Sequence, residues 1–314
     1  MIAKKHEPVT VTRGFYQLGT PSFPVYLSVG DTVMIIEGGT GATFSIIVEQ
    51  IKELGIDPER IQYLALTHTH SDHIGSIPHL KRLWPHLKII GSPAAGKALR
   101  KLSENNGMLQ EFLASDASIT KIMLSKGAIS EAPPELENYA FKPDKLVEEG
   151  DCIDLGSRVK WIAYNTPGHS PCHISFYNER DGILVVGDAT GFYLPERGIF
   201  WPNYFESLDS YCNSIRKLAN LQARRFALSH NGVVDGVISN YLQKAMRATE
   251  SYYLEMLERL KRGEDPEKIA LEKANWVNSI TDIQPFSVMH SLAKLLISRS
   301  KSDANKENLF TIPE

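Results

Sequence analysis

The chain has 314 residues, of which 42% are hydrophobic and 23% charged, a composition typical of a globular protein with a sizeable core. Its formal net charge of -3 gives no basic excess, which argues against nucleic acid or an anionic membrane as a partner and favours a small-molecule substrate. The N-terminus lacks the apolar segment of a signal peptide, and no apolar run reaches membrane-spanning length, so we expect a cytoplasmic protein. Three widely separated cysteines argue against a disulfide framework.

Short apolar segments in the first ninety residues predict strands, which the sequence places at 14–18, 25–29, 32–36, 63–66 and 87–91. Between them, residues 44–54 repeat apolar side chains at helical spacing, and residues 74–84 do the same. Strands and helices that alternate in this way predict a layered α/β sandwich. The glycine cluster at 37–41 lacks the features of a phosphate-binding loop and is interpreted as a plain turn.

A cluster of metal-binding residue types follows the predicted strand at 63–66. His68, His70, Asp72 and His73 fall within six positions, between that strand and the next predicted helix. Neutral imidazole nitrogens with one carboxylate suit zinc, iron or manganese better than calcium or magnesium. The cluster therefore predicts a metal site on a loop at a strand end.

These four residues match the HxHxDH signature, and on them the chain resembles the metallo-β-lactamase-fold hydrolases. Three later segments resemble that family's remaining motifs in the same order: the loop that carries His169, the strand end at Asp188, and the turn at His230. The resemblance implies a four-layer αββα sandwich of the α/β class with metal-dependent hydrolase activity.

The resemblance also implies two divalent metal ions, which could be zinc, iron or manganese, and it assigns their ligands. One ion would be held by His68, His70 and His169, the second by Asp72, His73 and His230, with Asp188 bridging the two. Two cations would activate a shared water, and Asp72 or Asp188 would orient it or accept its proton.

Neighbouring residues are interpreted as supporting rather than ligating. His173 is expected to be structural, because the ligand set is complete without it, and Cys172 to be a buried thiol. Glu37 departs from the family pattern, since many members carry an aspartate there that supports a metal ligand. Whether the longer Glu37 still gives this support is open at this point.

The rest of the chain predicts additions to the sandwich. Residues 92–149 form a helical insertion that could lie over the site, and the aromatic loop at 190–207 could line a pocket. Beyond about residue 235 the pattern is helical, so we divide the chain into 1–234, the metallo-β-lactamase-fold domain, and 235–314, a C-terminal helical extension. That extension would cap the site or form a homodimer, and His290 within it is interpreted as an incidental helix residue rather than a substrate contact.

The overall pattern is most similar to the quinolone signal response and other thioesterase-like members with a C-terminal helical extension. The predicted reaction is attack of a metal-activated hydroxide on a thioester carbonyl of the acyl-CoA type. A glyoxalase II-like or lactone hydrolase is the hydrolytic alternative. The alternative of another class is a metal-binding regulatory protein whose site is vestigial.

Overall fold

The computed structural model describes residues 4–235, 240–281, 283–302 and 309–312. In these residues, the first sheet has the strand order β1 to β7, antiparallel from β1 to β4 and parallel from β4 to β7. Its strands are β1 (Val9–Thr12), β2 (Phe15–Gly19), β3 (Pro24–Val29), β4 (Val33–Ile36), β5 (Ile61–Ala65), β6 (Lys88–Gly91) and β7 (Lys145–Leu146).

The second sheet is built from the later strands in the order β15-β14-β11-β10-β9-β8. These strands are β8 (Cys152–Asp154), β9 (Lys160–Asn165), β10 (Ile174–Asn178), β11 (Ile183–Gly187), β14 (Arg225–Leu228) and β15 (Val233–Asp235). A separate two-stranded hairpin, β12 (Phe192–Leu194) and β13 (Ile199–Trp201), lies in the segment predicted as an aromatic loop. Within the described part of the chain, these short aromatic strands pair with each other and join neither large sheet.

Helices cover the two sheets and form the insertion and the extension. They are α1 (Phe44–Glu53), α2 (Ser71–Ile74), α3 (Ile77–Leu83), α4 (Pro93–Glu104), α5 (Asn106–Ser125), α6 (Leu208–Ala219), α7 (Tyr241–Lys261), α8 (Pro266–Ile280) and α9 (Phe286–Ser302). Several begin at a residue whose side chain caps the first turn, as Ser92, Asn105, Ser207 and Asp265 do. Pro266 follows Asp265 at the first helical position, where its fixed φ suits a helix start. Of the helical pattern predicted beyond residue 235, Val237 falls outside the described residues.

Three apolar clusters show how the layers stack. Tyr26 and Met34 of the first sheet face Trp161 and Phe176 of the second, and they form the core between the sheets. Residues next to these in sequence, such as Leu27, point the opposite way and pack on α1 and α3. The outer face of the second sheet packs on α6 and the C-terminal helices. Central strands such as β4, β10 and β11 are therefore buried on both faces, and the predicted αββα sandwich with a helical extension is confirmed.

The C-terminal helices share one cluster with the sandwich rather than forming a core of their own. Met256, Ile269 and Leu296 are buried together with Leu184 and Phe226 of the second sheet. The division of the chain at residue 235 stays a prediction. None of the helices in the described part of the chain is long and apolar enough to cross a membrane.

Tyr26 joins the first sheet to the turn that carries His230. Its fully buried hydroxyl lies 2.6 Å from the carbonyl oxygen of Leu228 and 2.9 Å from that of Gly232. Tyr26→Phe leaves these carbonyls without that donor, so we expect the free energy of unfolding to fall by about 1–2 kcal/mol. Denaturant unfolding checks this, with half-buried Tyr16→Phe as the control; equal losses for both variants would contradict it.

Candidate metal centre

The predicted site residues lie on loops that follow strand ends of both sheets. The loop after β5 and the short helix α2 carry the first four, while the segments after β9, β11 and β14 carry one each. Because these three strands of the second sheet run parallel to one another, their carboxyl ends meet at one edge. The structure brings all seven side chains together there: His68, His70, Asp72, His73, His169, Asp188 and His230.

Three imidazoles form the first group of candidate ligands. His68 Nε2 lies 3.0 Å from His70 Nδ1, and His169 Nε2 lies 3.2 Å and 3.0 Å from those two nitrogens. A tetrahedral zinc ion with Zn–N bonds near 2.0–2.1 Å would separate its ligand nitrogens by about 3.3 Å. The three nitrogens are therefore spaced closely enough to share one ion.

Asp72, His73 and His230 form the second group. The Nε2 atoms of His73 and His230 lie 3.6 Å and 3.7 Å from the carboxylate oxygens of Asp72. Asp188 stands between the two groups: its Oδ2 lies 3.3 Å from His169 Nε2 and 3.5 Å from His73 Nε2. One carboxylate is thus within reach of both candidate ion positions, as a bridging ligand requires.

Hydrogen bonds to the protein orient the imidazole rings. His169 Nδ1 donates to the carbonyl oxygen of Asn203 at 3.1 Å, and His230 Nδ1 donates to that of Ser22 at 2.8 Å. Each bond places the proton on Nδ1 and leaves Nε2 with a free lone pair toward the cluster. Such outer contacts fix the tautomer of a metal-binding histidine. Sequence spacing gave no signal for Asn203 or Ser22, because both use backbone carbonyls of distant loops.

Glu37 supports two of the ligand loops. Its buried carboxylate accepts hydrogen bonds from Thr67 Oγ1 at 2.7 Å and Ser229 Oγ at 2.9 Å, and it lies 3.2 Å from His73 Nδ1. Thr67 in turn accepts from His68 Nδ1 at 3.0 Å. The longer side chain thus reaches His73, one of the candidate ligands, which answers the question left open by the sequence. Its backbone has a φ of 74°, unusual for a residue with a side chain.

His173 positions Asp188, and it belongs to neither ligand group in the structure. Its Nε2 accepts the backbone N–H of Asp188 at 2.9 Å, while Nδ1 donates to Thr166 Oγ1 at 2.8 Å. Burial lowers the pKa of His173 to about 3, so the ring stays neutral and keeps this pattern. Gly187 has a φ of 59°, and a Cβ there would lie 2.4 Å from His173 Nε2. Only glycine therefore allows His173 to approach the strand end.

The electrostatics of the cluster fit bound cations. Burial lowers the pKa of His68 and His169 well below the usual range, which keeps these nitrogens neutral and able to coordinate. His73 Nε2 is buried without a hydrogen-bond partner among the described residues, although it faces Asp72 and Asp188. A buried orphan nitrogen aimed at two carboxylates is a position that a divalent cation would satisfy. The donor set therefore fits zinc, iron or manganese.

A cavity of about 320 Å³ opens above the cluster. His70, which is exposed, and Asp72, Asp188 and His230 lie on its floor. The walls are mainly apolar and come from the insertion, the β12–β13 segment and the C-terminal helices: Phe112, Phe192, Trp201, Phe205, Val277, Ile283, Val288, Met289 and Leu292. The C-terminal helices therefore cap the site, one of the two arrangements predicted for them.

Two side-chain contacts join the segments above the cavity to the short helix α2, one from the C-terminal helices and one from the insertion. Gln284, between α8 and α9, donates from Nε2 to Asp72 Oδ2 at 3.2 Å. On the insertion side, Ser115 Oγ lies 2.9 Å from Ser71 Oγ. Sequence reasoning missed Gln284, because a glutamine in a short connection between helices carries no motif.

Two further interpretations of single residues can be compared with the structure. His290 lies 3.0 Å from Glu267 Oε1 and is not among the residues lining the cavity, in agreement with its interpretation as incidental to substrate binding. Cys172 is buried, with its Sγ 3.5 Å from the hydroxyls of Thr69 and Ser170, as a structural thiol would be.

Glu37→Gln provides a test of the support for His73. The amide keeps the size but removes the charge that orients the imidazole, so we expect metal affinity to fall by about 10–100-fold. Competitive chelator titration measures this, with Glu49→Gln on the exposed face of α1 as the matched control. Unchanged affinity in Glu37→Gln would show that the carboxylate does not tune the ligand.

Two curated relatives each match part of the chain. The uncharacterized protein YobT of Bacillus subtilis is 31% identical over 160 residues, which are 50% of this chain and 57% of that protein. A hydroxyacylglutathione hydrolase of Methylobacterium nodulans is 30% identical over 125 residues, 38% of this chain and 48% of the relative. The chain thus spans about half the length of each.

Among solved structures, the metallo-beta-lactamase family protein TTHA1429 from Thermus thermophilus superposes with a TM-score of 0.63 at 21% identity. The match covers 93% of this chain and 95% of the other, so the fold is shared across nearly the whole molecule. The family model for the metallo-beta-lactamase superfamily matches residues 19–230, which include every candidate ligand described above. The chain therefore belongs to the metallo-beta-lactamase superfamily.

Proposed function

We propose that the protein is a dinuclear metal-dependent hydrolase that cleaves thioesters of the acyl-CoA type. The observation that carries this proposal is the pair of candidate ligand groups with Asp188 between them, on the floor of an apolar cavity. The floor supplies ligands for cations, and the walls supply a surface for an apolar acyl group. Both features lie within one cavity, as hydrolysis of an acyl substrate requires.

The residues divide into ion-holding and supporting roles. His68, His70 and His169 would hold one ion, and Asp72, His73 and His230 the other, with Asp188 between them: this is the assignment that the distances support. Two divalent cations would supply Lewis acidity that lowers the pKa of a bound water toward about 7 and polarises a carbonyl. The protein itself would then need no serine or cysteine nucleophile.

The carboxylates at the floor of the cavity are the candidates for proton transfer. Asp72 and Asp188 both line the cavity, so either can accept the proton that the attacking water loses. Burial by itself would raise the pKa of Asp188, but the neighbouring imidazoles, among them His73 with its own raised pKa, hold it well below the usual range. Asp188 is therefore ionised at neutral pH, and Asp72 is held in place by Gln284.

The apolar walls favour a substrate with an apolar acyl group. Phe112 of the insertion, Phe192 of β12 and Leu292 of α9 face the same space, where they would surround an acyl chain or ring. The hydroxyacylglutathione hydrolase that matches this chain is named for a substrate with an acyl–sulfur bond. That name supports a thioester here, and it keeps glutathione thioesters in the panel of substrates to be tested.

The direct test is thiol release from acyl-CoA and S-acylglutathione thioesters by the metal-loaded protein. We expect turnover, and we expect His70→Ala to lower kcat/KM by at least about 100-fold because one ion loses a ligand. His86→Ala, whose imidazole lies outside the site and contacts the carbonyl oxygen of Pro58, is the matched control.

The panel also separates the alternatives. Preference for CoA over glutathione thioesters supports the acyl-CoA assignment, and the reverse supports the glyoxalase II-like one. Absence of thiol release from every member, with the metal content verified, would rule out the thioester proposal and direct attention to lactones. If the protein shows no turnover that chelation could abolish, and chelation nevertheless unfolds it, the regulatory alternative is favoured.

Filling the cavity should change the acyl preference. Leu292→Trp adds a ring to the wall formed by α9, so we expect the ratio of kcat/KM for octanoyl-CoA to that for acetyl-CoA to fall by about tenfold or more. Leu271→Trp, at an exposed position on α8, is the control and should keep the wild-type ratio. An unchanged ratio in Leu292→Trp would place the acyl group elsewhere.

A further inference from the structure

Helix α5 of the insertion packs on the core mainly through its second half. Its buried side chains lie between Ile119 and Met123, whereas residues 106–111 are mostly exposed. Phe112, which lines the cavity above the metal centre, stands between these two parts of the helix. Polar contacts close to Phe112 therefore contribute to fixing this wall of the cavity.

Asp116, one turn beyond Phe112, directs its carboxylate into the glycine-rich loop at 37–41. Its Oδ1 accepts hydrogen bonds from the hydroxyl of Thr40 at 2.6 Å and from the backbone N–H of Gly41 at 2.9 Å. A carboxylate that leaves water is costly unless such donors replace its hydration. These two bonds therefore form a specific contact between the insertion and the loop after β4.

Two glycines leave room for the carboxylate of Asp116. A Cβ on Gly41 would lie 2.4 Å from its Oδ2, and a Cβ on Gly75 would lie 2.4 Å from its Oδ1. Gly75 follows directly after α2 and donates its N–H to the carbonyl oxygen of Gly39 at 2.8 Å. The two glycines thus form a cradle for one side chain of the insertion, at the end of the ligand-bearing helix.

The neighbouring residue makes a second contact with α2. Ser115 Oγ lies 2.9 Å from the Oγ of Ser71, which is the first residue of α2. Helix α2 is four residues long, too short to be stable through its own hydrogen bonds, and it carries Asp72 and His73. Ser115 and Asp116 therefore support both ends of a helix on which two candidate ligands stand.

We infer that Asp116 is a positioning residue that couples the docking of α5 to metal binding. Asp72 and His73 would hold α2 in one place when they bind an ion, and α2 in that place completes the cradle for Asp116. Coupling between two sites is reciprocal, so the docked helix would raise the affinity for the ion by the same factor. Phe112 would then be held in the cavity wall when the centre is loaded. The inference rests on the metal centre of the proposed function and not on the choice of substrate.

Hydrogen exchange of the full-length protein with and without zinc tests this coupling. We expect zinc to slow exchange of the α5 amides at 109–116 by about five- to tenfold in the wild type, the lower range of allosteric coupling. Asp116→Ala should lose most of that zinc-dependent difference. A contact with a purely structural role would alter exchange equally in both states, so the difference between them measures the coupling. Glu111→Gln, at an exposed position on α5, is the matched control and should keep the wild-type difference.

Competitive chelator titration measures the reciprocal effect. We expect Asp116→Ala to lower the zinc affinity by about five- to tenfold, because the same coupling acts in both directions. Asp116→Asn keeps an acceptor oxygen for Thr40 and Gly41, so it should retain more of the affinity than Asp116→Ala does. Glu111→Gln should bind zinc as tightly as the wild type.

Gly41→Ala tests the same contact without changing α5. Its methyl group would lie 2.4 Å from Asp116 Oδ2 and displace the carboxylate, so we expect a loss of zinc affinity similar to that of Asp116→Ala. In the double variant the space is free, so the zinc affinity should be no lower than that of either single variant. Losses that add up in the double variant would contradict the inference.

Exchange in the buried strand β10 shows in the same experiment whether each variant is folded. If folded Asp116→Ala and Gly41→Ala keep the wild-type zinc affinity and the zinc-dependent protection of α5, the inference is overturned. Neither measurement needs turnover. A wild type that binds zinc and hydrolyses thioesters without a zinc effect on α5 keeps the proposed function and refutes the inference. A wild type that shows the zinc effect but hydrolyses no thioester keeps the inference and refutes the thioester proposal.

Discussion

The buried carboxylate of Glu37 is the constraint on which the candidate metal centre depends. A charge taken out of water is costly unless it is satisfied, and this one accepts hydrogen bonds from Thr67 and Ser229 beside the imidazole of His73. Those partners stand on the loop after β5, the turn after β14 and the helix α2. One side chain at the end of β4 therefore holds three ligand-bearing segments from two sheets. The contacts it makes offset the cost of its positive backbone φ.

The sandwich and its additions divide the work of the site. Strand ends of the two sheets deliver the candidate ligands, and the insertion and C-terminal helices supply the apolar walls above them. Because the C-terminal helices are buried in one cluster with the second sheet, the cap is held by the same hydrophobic packing that stabilises the sandwich. The homodimer through these helices stays a prediction.

The chemistry follows from this division. Ligand geometry on the floor suits the activation of water by cations, which many substrates could use, whereas the walls decide which acyl group can enter. Gln284 connects the two parts, since it lies in the wall of the cavity and its amide nitrogen donates to Asp72 on the floor.

The sequence by itself determined the α/β sandwich and proposed all seven ligand candidates, because alternating apolar segments and closely spaced histidines are local signals. His68, His70, Asp72 and His73 lie within six positions, and the resemblance extended this set to His169, Asp188 and His230. The ion-binding roles of these residues stay a proposal. The β12–β13 hairpin was predicted only as a loop, since its short strands pair with each other alone.

Only the tertiary structure decided that Glu37 reaches His73, that the helical extension caps the cavity, and that Gln284 contacts Asp72 from 212 positions away. Such contacts depend on how distant segments pack in three dimensions. No local pattern of residues encodes them, because the same helix or loop could pack in several ways until the core fixes its place.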